Sequence, residues 1–143
     1  QMCIRDSFIF GEPPGGTTTA KIRNSISWKP EYAHIFAFQS QGETTTIDSD
    51  FNIYVPKTDD NDTFAELPFG TAISYANAST IIGPNDRAGA AFDPNFTDDV
   101  NDDYTLTLGS IAIDTGTATD NNGLAFAGLA PDLGASEFLD ACP

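Results

Sequence analysis

Positive charge is scarce in this chain: six Lys and Arg stand against 21 Asp and Glu, a formal net charge of −15 with the single His neutral. A phosphate-coated partner would be repelled over nearly the whole surface, which argues against nucleic acid and anionic membrane as targets. Long apolar runs are lacking too. None approaches the roughly 20 residues that span a bilayer, and "SFIF" at 7–10 is too short for the core of a signal peptide. The two cysteines, Cys3 and Cys142, sit at opposite ends with neither metal-ligand spacing nor a framework between them, so they leave the redox compartment undecided. No phosphate loop, zinc motif or nucleophile elbow is present. What remains is a 143-residue chain, 40% hydrophobic and 11% aromatic, which is enough apolar material for the core of one domain.

Alternation organises that material. In "TTTAKIRNSISW" (17–28), Ile22 and Ile26 alternate with Lys21, Arg23, Ser25 and Ser27, the mark of a strand with one buried face. "HIFAFQS" (34–40) repeats the pattern after the break at Lys29 and Pro30, and "TTTIDSDFNIYV" (44–55) is a third run rich in β-branched and aromatic residues. Ile22, Ile35 and Ile47 are spaced by twelve to thirteen residues, which suits either a sandwich or a stack of coils with several strands per turn. Residues 56–70, with two prolines and the acidic cluster Asp59–Asp62, read as a long loop with a short helical turn around Thr63–Leu67. "STIIG" (79–83) is a brief strand candidate, "RAGAAF" (87–92) a flexible stretch, and Pro94 in "FDPNF" belongs to a turn or an edge. No segment keeps a helical period, so the chain is expected to be all-β.

The most ordered text is the close, "YTLTLGSIAIDTG" (104–116) and "APDLGASEF" (130–138). Tyr104, Leu106 and Leu108 share one strand face, Gly109 turns the backbone, and Ile111 and Ile113 resume. Asp114 is placed to accept hydrogen bonds from turn amides, with Gly116 free to take positive φ. Asp132 and Gly134 repeat the device, flanked by Leu133 and Phe138 as core plugs. Together with Asp93 these residues form the expected structural cap: Asp93, Asp114, Gly116, Asp132 and Gly134.

These phrases resemble the terminal signature of bacterial right-handed parallel β-helix proteins, the pectate-lyase-like group. The resemblance runs through Asp93, Pro94 and Phe96, then Tyr104, Leu106, Gly109, Ser110, Ala112, Ile113, Asp114 and Gly116, then Pro131, Asp132, Gly134, Ala135 and Glu137. It departs at Ile111, where Pro is usual, and at Ser136, where an aromatic is usual. "IDSDFNIYV" and "AKIRNSISW" extend it loosely upstream. The resemblance implies the last coils and C-terminal cap of a parallel β-helix, a solenoid whose final coil needs covering. Strand spacing alone also permits a β-sandwich. The first seven residues, "QMCIRDS", resemble the translated remnant of a sequencing adapter. The expected organisation is therefore a non-native 1–7, terminal coils over 8–91, and a capping segment over 92–143 of a longer protein.

The resemblance also implies carbohydrate. Many such proteins are secreted polysaccharide lyases or hydrolases, and lyase chemistry on a uronic acid needs a base and a cation. Lys21 and Arg23, two apart on one strand, and His34 are the candidates for that work, although Lys and Arg on a strand ordinarily solubilise and His34 reads first as a surface residue at a strand start. Trp28 and Tyr32 are candidate sugar-stacking residues. Asp98, Asp99, Asp102 and Asp103 offer the hard oxygens that Ca²⁺ prefers, without the Gly and distal Glu of a calcium-binding hand loop. The expectation is a secreted or cell-surface, monomeric, mainly structural segment with polysaccharide as its partner. The alternative is a non-enzymatic adhesin or stalk.

Overall fold

The computed structural model describes residues 2–4, 8–10, 17–37, 44–67, 71–119 and 125–134. The strands are β1 (Met2–Ile4), β2 (Phe8–Phe10), β3 (Thr17–Trp28), β4 (Ile35–Ala37), β5 (Thr44–Val55), β6 (Thr63–Leu67), β7 (Thr71–Ser74), β8 (Arg87–Ala88), β9 (Phe96–Asp98) and β10 (Asp103–Leu106). The protein is thus mostly β, in small sheets. The first sheet has the order β1-β3-β5-β8 with every neighbour parallel. The second has the order β2-β4-β6-β7, parallel except for the last pair, and β9 and β10 make a separate antiparallel pair. From β1 to β6 the chain passes alternately from one sheet to the other. An antiparallel Greek-key sandwich does not provide parallel neighbours of this kind.

Both long strands begin with three threonines, whose branched side chains favour extended backbone. They lie in register from Thr17 opposite Thr44 to Trp28 opposite Val55, a constant offset of 27 residues, apart from one missing partnership at Asn24 and Phe51. Those two residues have φ of 51° and 59°, the left-handed region. One such residue turns the ribbon over. Ahead of it, Ile22 packs in a core with Ile35, Tyr54, Phe64, Ala65, Tyr75 and Ala78, and Ile47 joins that cluster from β5. Beyond it, Ile26, Trp28, Ile53 and Val55 face a second core with Leu106, Ala112 and Leu133. A plain strand would send Ile22 and Ile26 to one face. The continuous alternation that predicts a single buried face therefore serves two faces in succession.

The second core exists because Phe96, Tyr104, Leu106, Ile111, Ala112, Ile113 and Leu133 pack against the outer face of the first sheet. Trp28 meets Phe96 edge-on at 5.2 Å between ring centroids, and Phe96 meets Tyr104 in the same way. The segment expected to form an end lid instead runs across the sheet, with Thr117 at Asn24 on β3 and Ile111 at Arg87 on β8. Three other sequence expectations also change. Thr63–Leu67 is a strand, because Phe64 and Ala65 are buried and its backbone pairs with both β4 and β7. "STIIG" supplies the end of a 3-10 helix, Tyr75–Thr80, and the turn after it. Residues 107–114 are turns, with Leu108 80% exposed and only Ala112 fully buried between half-buried Ile111 and Ile113. Phe138, Ala135, Ser136, Glu137 and Cys142 lie outside the described residues. Of the seven residues set aside, Met2–Ile4 form β1 by pairing with Ser25–Ser27, a contact that asks only for backbone.

Candidate functional site

Asn tolerates the left-handed conformation better than other non-glycine residues, because its short polar side chain can bond locally. At Asn24 that side chain, 2% exposed, does more. Its Nδ2 donates to the Thr117 carbonyl and its Oδ1 accepts from the Thr117 amide, both at 2.8 Å, while its own carbonyl accepts from the Gly134 amide at 3.0 Å. The capping segment is thus clipped to β3 at the corner. The neighbouring corner on β5 is occupied by Phe51, which has no polar atom to offer in return for a strained φ. Beyond it the register leads to the turn before β8, where Asn85 donates from both its amide and its Nδ2 to the Asp50 carboxylate, at 2.8 and 3.1 Å.

Behind this row lies a buried polar knot. Asp86 accepts from the Asn52 amide (2.8 Å), Asn52 Nδ2 (2.9 Å), Ser49 Oγ (2.5 Å) and the Gly83 amide (3.0 Å). Burial pushes its carboxyl above the usual range, and these four donors oppose the shift without cancelling it. Asn52, 0% exposed, also donates to the Ile22 carbonyl and accepts from the Ser25 amide, so it joins two neighbouring strands at their bend. The turn is thereby fixed from inside. On its outer side a groove of about 350 Å³ opens, lined by Phe51, Pro84, Asn85, Asp86, Arg87 and Thr115. Arg87 Nη1 donates to the Ile111 carbonyl at 2.9 Å, which ties the guanidinium to the capping segment.

The residues expected to carry chemistry differ widely in setting. Lys21 is exposed on β3, but Arg23 is half-buried and donates to the Asp48 carboxylate and carbonyl, both at 2.5 Å. His34 is a correction: it is fully buried, not at the surface. Its Nδ1 meets Ser27 Oγ at 2.6 Å and its Nε2 meets the Tyr75 hydroxyl, inside a box of Tyr54, Phe64 and Tyr75 rings. Burial lowers its pKa to about 3 and raises those of Tyr54 and Tyr75. Ser27 is also fully buried, so a Ser–His pair here is sealed from any substrate. Trp28 is a second correction. It is 4% exposed, covered by Phe96 and by the Lys29 ammonium 4.2 Å from its ring centroid, and so has no free face for a sugar. Tyr32 is 76% exposed and stands without these partners around it.

The proposed calcium ligands do not converge. Asp98 caps Asn101, Asp99 pairs with Lys29, Asp102 accepts from the Tyr104 hydroxyl and Asp103 accepts from Thr105. Among the described residues no group of three or more His, Cys, Asp or Glu is arranged to hold a metal ion. Crowded carboxylates in turns found local amides and hydroxyls first.

The cap residues behave as a unit, with one exception. The Asp114 amide donates to Asp132 Oδ1 at 2.7 Å, and Asp114 Oδ1 accepts from the Leu129 and Ala130 amides at 2.7 and 3.2 Å. Asp114 itself takes the positive φ (55°) expected of Gly116, while Gly134 has φ 100°. Gly116 is required for space instead: a Cβ there would lie 2.6 Å from the Pro131 carbonyl oxygen and 2.9 Å from Asn24 Oδ1. Asp93 stands apart, accepting only from the Asn95 amide in its own turn. The residues missed by pattern reading are Asn24, Phe51, Asn52 and Asp86. Asn24 carried a hint by breaking the alternation, and Asn52 and Asp86 as polar residues in apolar or turn-rich text.

Among the described residues no helix is long and apolar enough to cross a membrane. The chain matches no family model, no curated protein and no solved structure.

Proposed function

We propose that this chain forms the last coils and the closing segment of a secreted or surface-exposed right-handed parallel β-helix protein. In this reading it is a mainly structural piece whose partner class is polysaccharide. The observation that carries it is the constant offset of 27 residues between β3 and β5, with both strands bent by a left-handed residue at the matched positions Asn24 and Phe51. Stacked coils bring the corners of successive turns into line even where the turn length varies, as it does here from 23 residues between β1 and β3 to 34 between β5 and β8. Closed units of unrelated strands do not. The parallel alternation between two sheets and the resemblance of the closing phrases support the same reading.

The segment is read as non-catalytic because His34 is sealed in the core, away from Lys21 and Arg23 on the outward face of β3, and Arg23 is engaged by Asp48. A stalk or adhesin role is the second reading, favoured by one feature: Thr17, Thr18 and Thr19 lie opposite Thr44, Thr45 and Thr46, a plain threonine ladder.

Retention on immobilised polysaccharides, measured beside assays for new reducing ends and unsaturated uronates, separates these roles. Binding without bond cleavage is expected. Depolymerisation of pectate or alginate would overturn the non-catalytic reading, and failure to bind any polysaccharide would leave the stalk.

A further inference from the structure

We infer that the groove beside the β5 corner is a binding site for one or two rings of a neutral saccharide, laid against Phe51 and Pro84 and hydrogen-bonded by Arg87, Asn85 and Thr115. This rests on the polysaccharide half of the function proposed above and adds to it a location and a chemical class. Its volume of about 350 Å³ is that of a small-ligand site.

Three features of the lining select the ligand. The first is Phe51. An aromatic residue at φ 59° carries roughly 1–2 kcal/mol of backbone strain that an Asn or Gly at that corner would largely avoid, as Asn24 does on the adjacent strand. Strain of this kind persists where the side chain is needed, and Phe51 is half-buried, packed against the second core and bordering the groove with what remains exposed. Together with Pro84 it gives a mainly polar groove a small apolar edge, which suits the C–H edge of a pyranose.

The second is the polar complement. Arg87 has five N–H donors and uses one on the Ile111 carbonyl, which holds the fork in place. Asn85 has both its amide and its Nδ2 engaged with Asp50, which leaves its Oδ1 as an acceptor. Thr115 Oγ1 donates to the carbonyls of Ile111 and Ala112 and can still accept. Fixed donors and acceptors around an apolar edge suit a ring bearing several hydroxyls.

The third is charge. Both Asp86 oxygens already accept two hydrogen bonds each, and a cationic ligand would sit beside the Arg87 guanidinium. An anionic polymer would approach a surface of net charge −15. Neutral hydroxyls meet neither obstacle.

The experiment is an amide-resolved NMR titration of the whole chain with neutral hexasaccharides of β-1,4-glucan, xylan and mannan, and with oligogalacturonate as anionic comparator. At least one neutral probe is expected to shift the amides of Phe51, Asn85, Arg87 and Thr115, with an affinity indifferent to salt. Phe51→Asn, which takes the corner residue type already used at 24, and Arg87→Lys, which keeps the charge and loses the fork, are each expected to weaken binding by about tenfold. Melting curves of both variants verify that they fold. Shifts confined to another surface, or wild-type affinity in both folded variants, would overturn the site while leaving polysaccharide binding intact. Preference for oligogalacturonate in the groove would overturn the neutral class. Binding of no probe overturns both the site and the reading beneath it.

Discussion

His34 shows how a single side chain ties stability to pH. It is neutral in the fold, where one ring nitrogen donates and the other accepts between Ser27 and Tyr75. Its pKa is about 3 when folded, against 6.5 when exposed. Above pH 6.5 both states are unprotonated and the residue adds no pH dependence. Between 6.5 and 3 only the unfolded chain binds the proton, so stability falls by about 1.4 kcal/mol for each unit of acidification. Asp86 acts with the opposite sign. Its raised pKa means that the folded state gains a proton first on acidification, which adds stability as pH falls through the window between its ordinary and its raised value. Urea titrations from pH 7 to pH 4 are expected to show a net loss in the wild type and a flatter profile in His34→Gln, from a lower starting stability. An equal slope in the two proteins would show that His34 is not the titrating group.

Elements depend on corners and clips rather than on propensity alone. The long strands over 17–28 and 44–55 were legible, because branched and aromatic residues alternate with polar ones through their whole length. Their bends were not. Asn24 does break the alternation, standing between Arg23 and Ser25 where an apolar residue is due, but Phe51 keeps it, and a left-handed residue is established only when the apolar side chains on its two sides are seen in different cores. Strand β6 was hidden for another reason: "TFAEL" adjoins an acidic turn and Pro68, and of the partners that make it a strand β7 follows directly after residues 68–70 while β4 comes from well upstream. Asp114 and Asp132 were legible as acceptors of backbone amides, but the donors lie 15 to 18 residues away rather than in the following turn, and the Asn24–Thr117 pairing spans 93 residues and leaves no local trace. The clip is also testable. Gly116→Ala would drive a methyl against the Pro131 carbonyl and Asn24 Oδ1, so a loss of about 1–3 kcal/mol is expected in urea unfolding. Unchanged stability would mean that this turn can shift without releasing the segment.

At the scale of the whole molecule, the segment that carries Leu106, Ala112 and Leu133 is part of the core rather than an appendage. Ile26, Trp28, Ile53 and Val55 are all nearly inaccessible beneath it. Burying each such side chain contributes about 1.5–3 kcal/mol, so uncovering four of them costs roughly 6–12 kcal/mol. That matches the entire stability of an ordinary domain. A chain ended after Ala91 is therefore expected to bind a hydrophobic dye strongly and to aggregate. A monomeric, dye-silent product with an intact far-ultraviolet spectrum would contradict the two-core arrangement.

The flipped ribbon at Asn24 and Phe51 also constrains how this chain can change its length. Deleting Arg23 would exchange inward and outward side chains ahead of the bend while leaving those after it untouched, putting Ile22 in water and Lys21 in the interior. Removing two would shorten the wall and keep its wiring. Indels in this arm should therefore be tolerated in even steps, whereas the bend itself, a single hinge-pin per layer, admits no step at all.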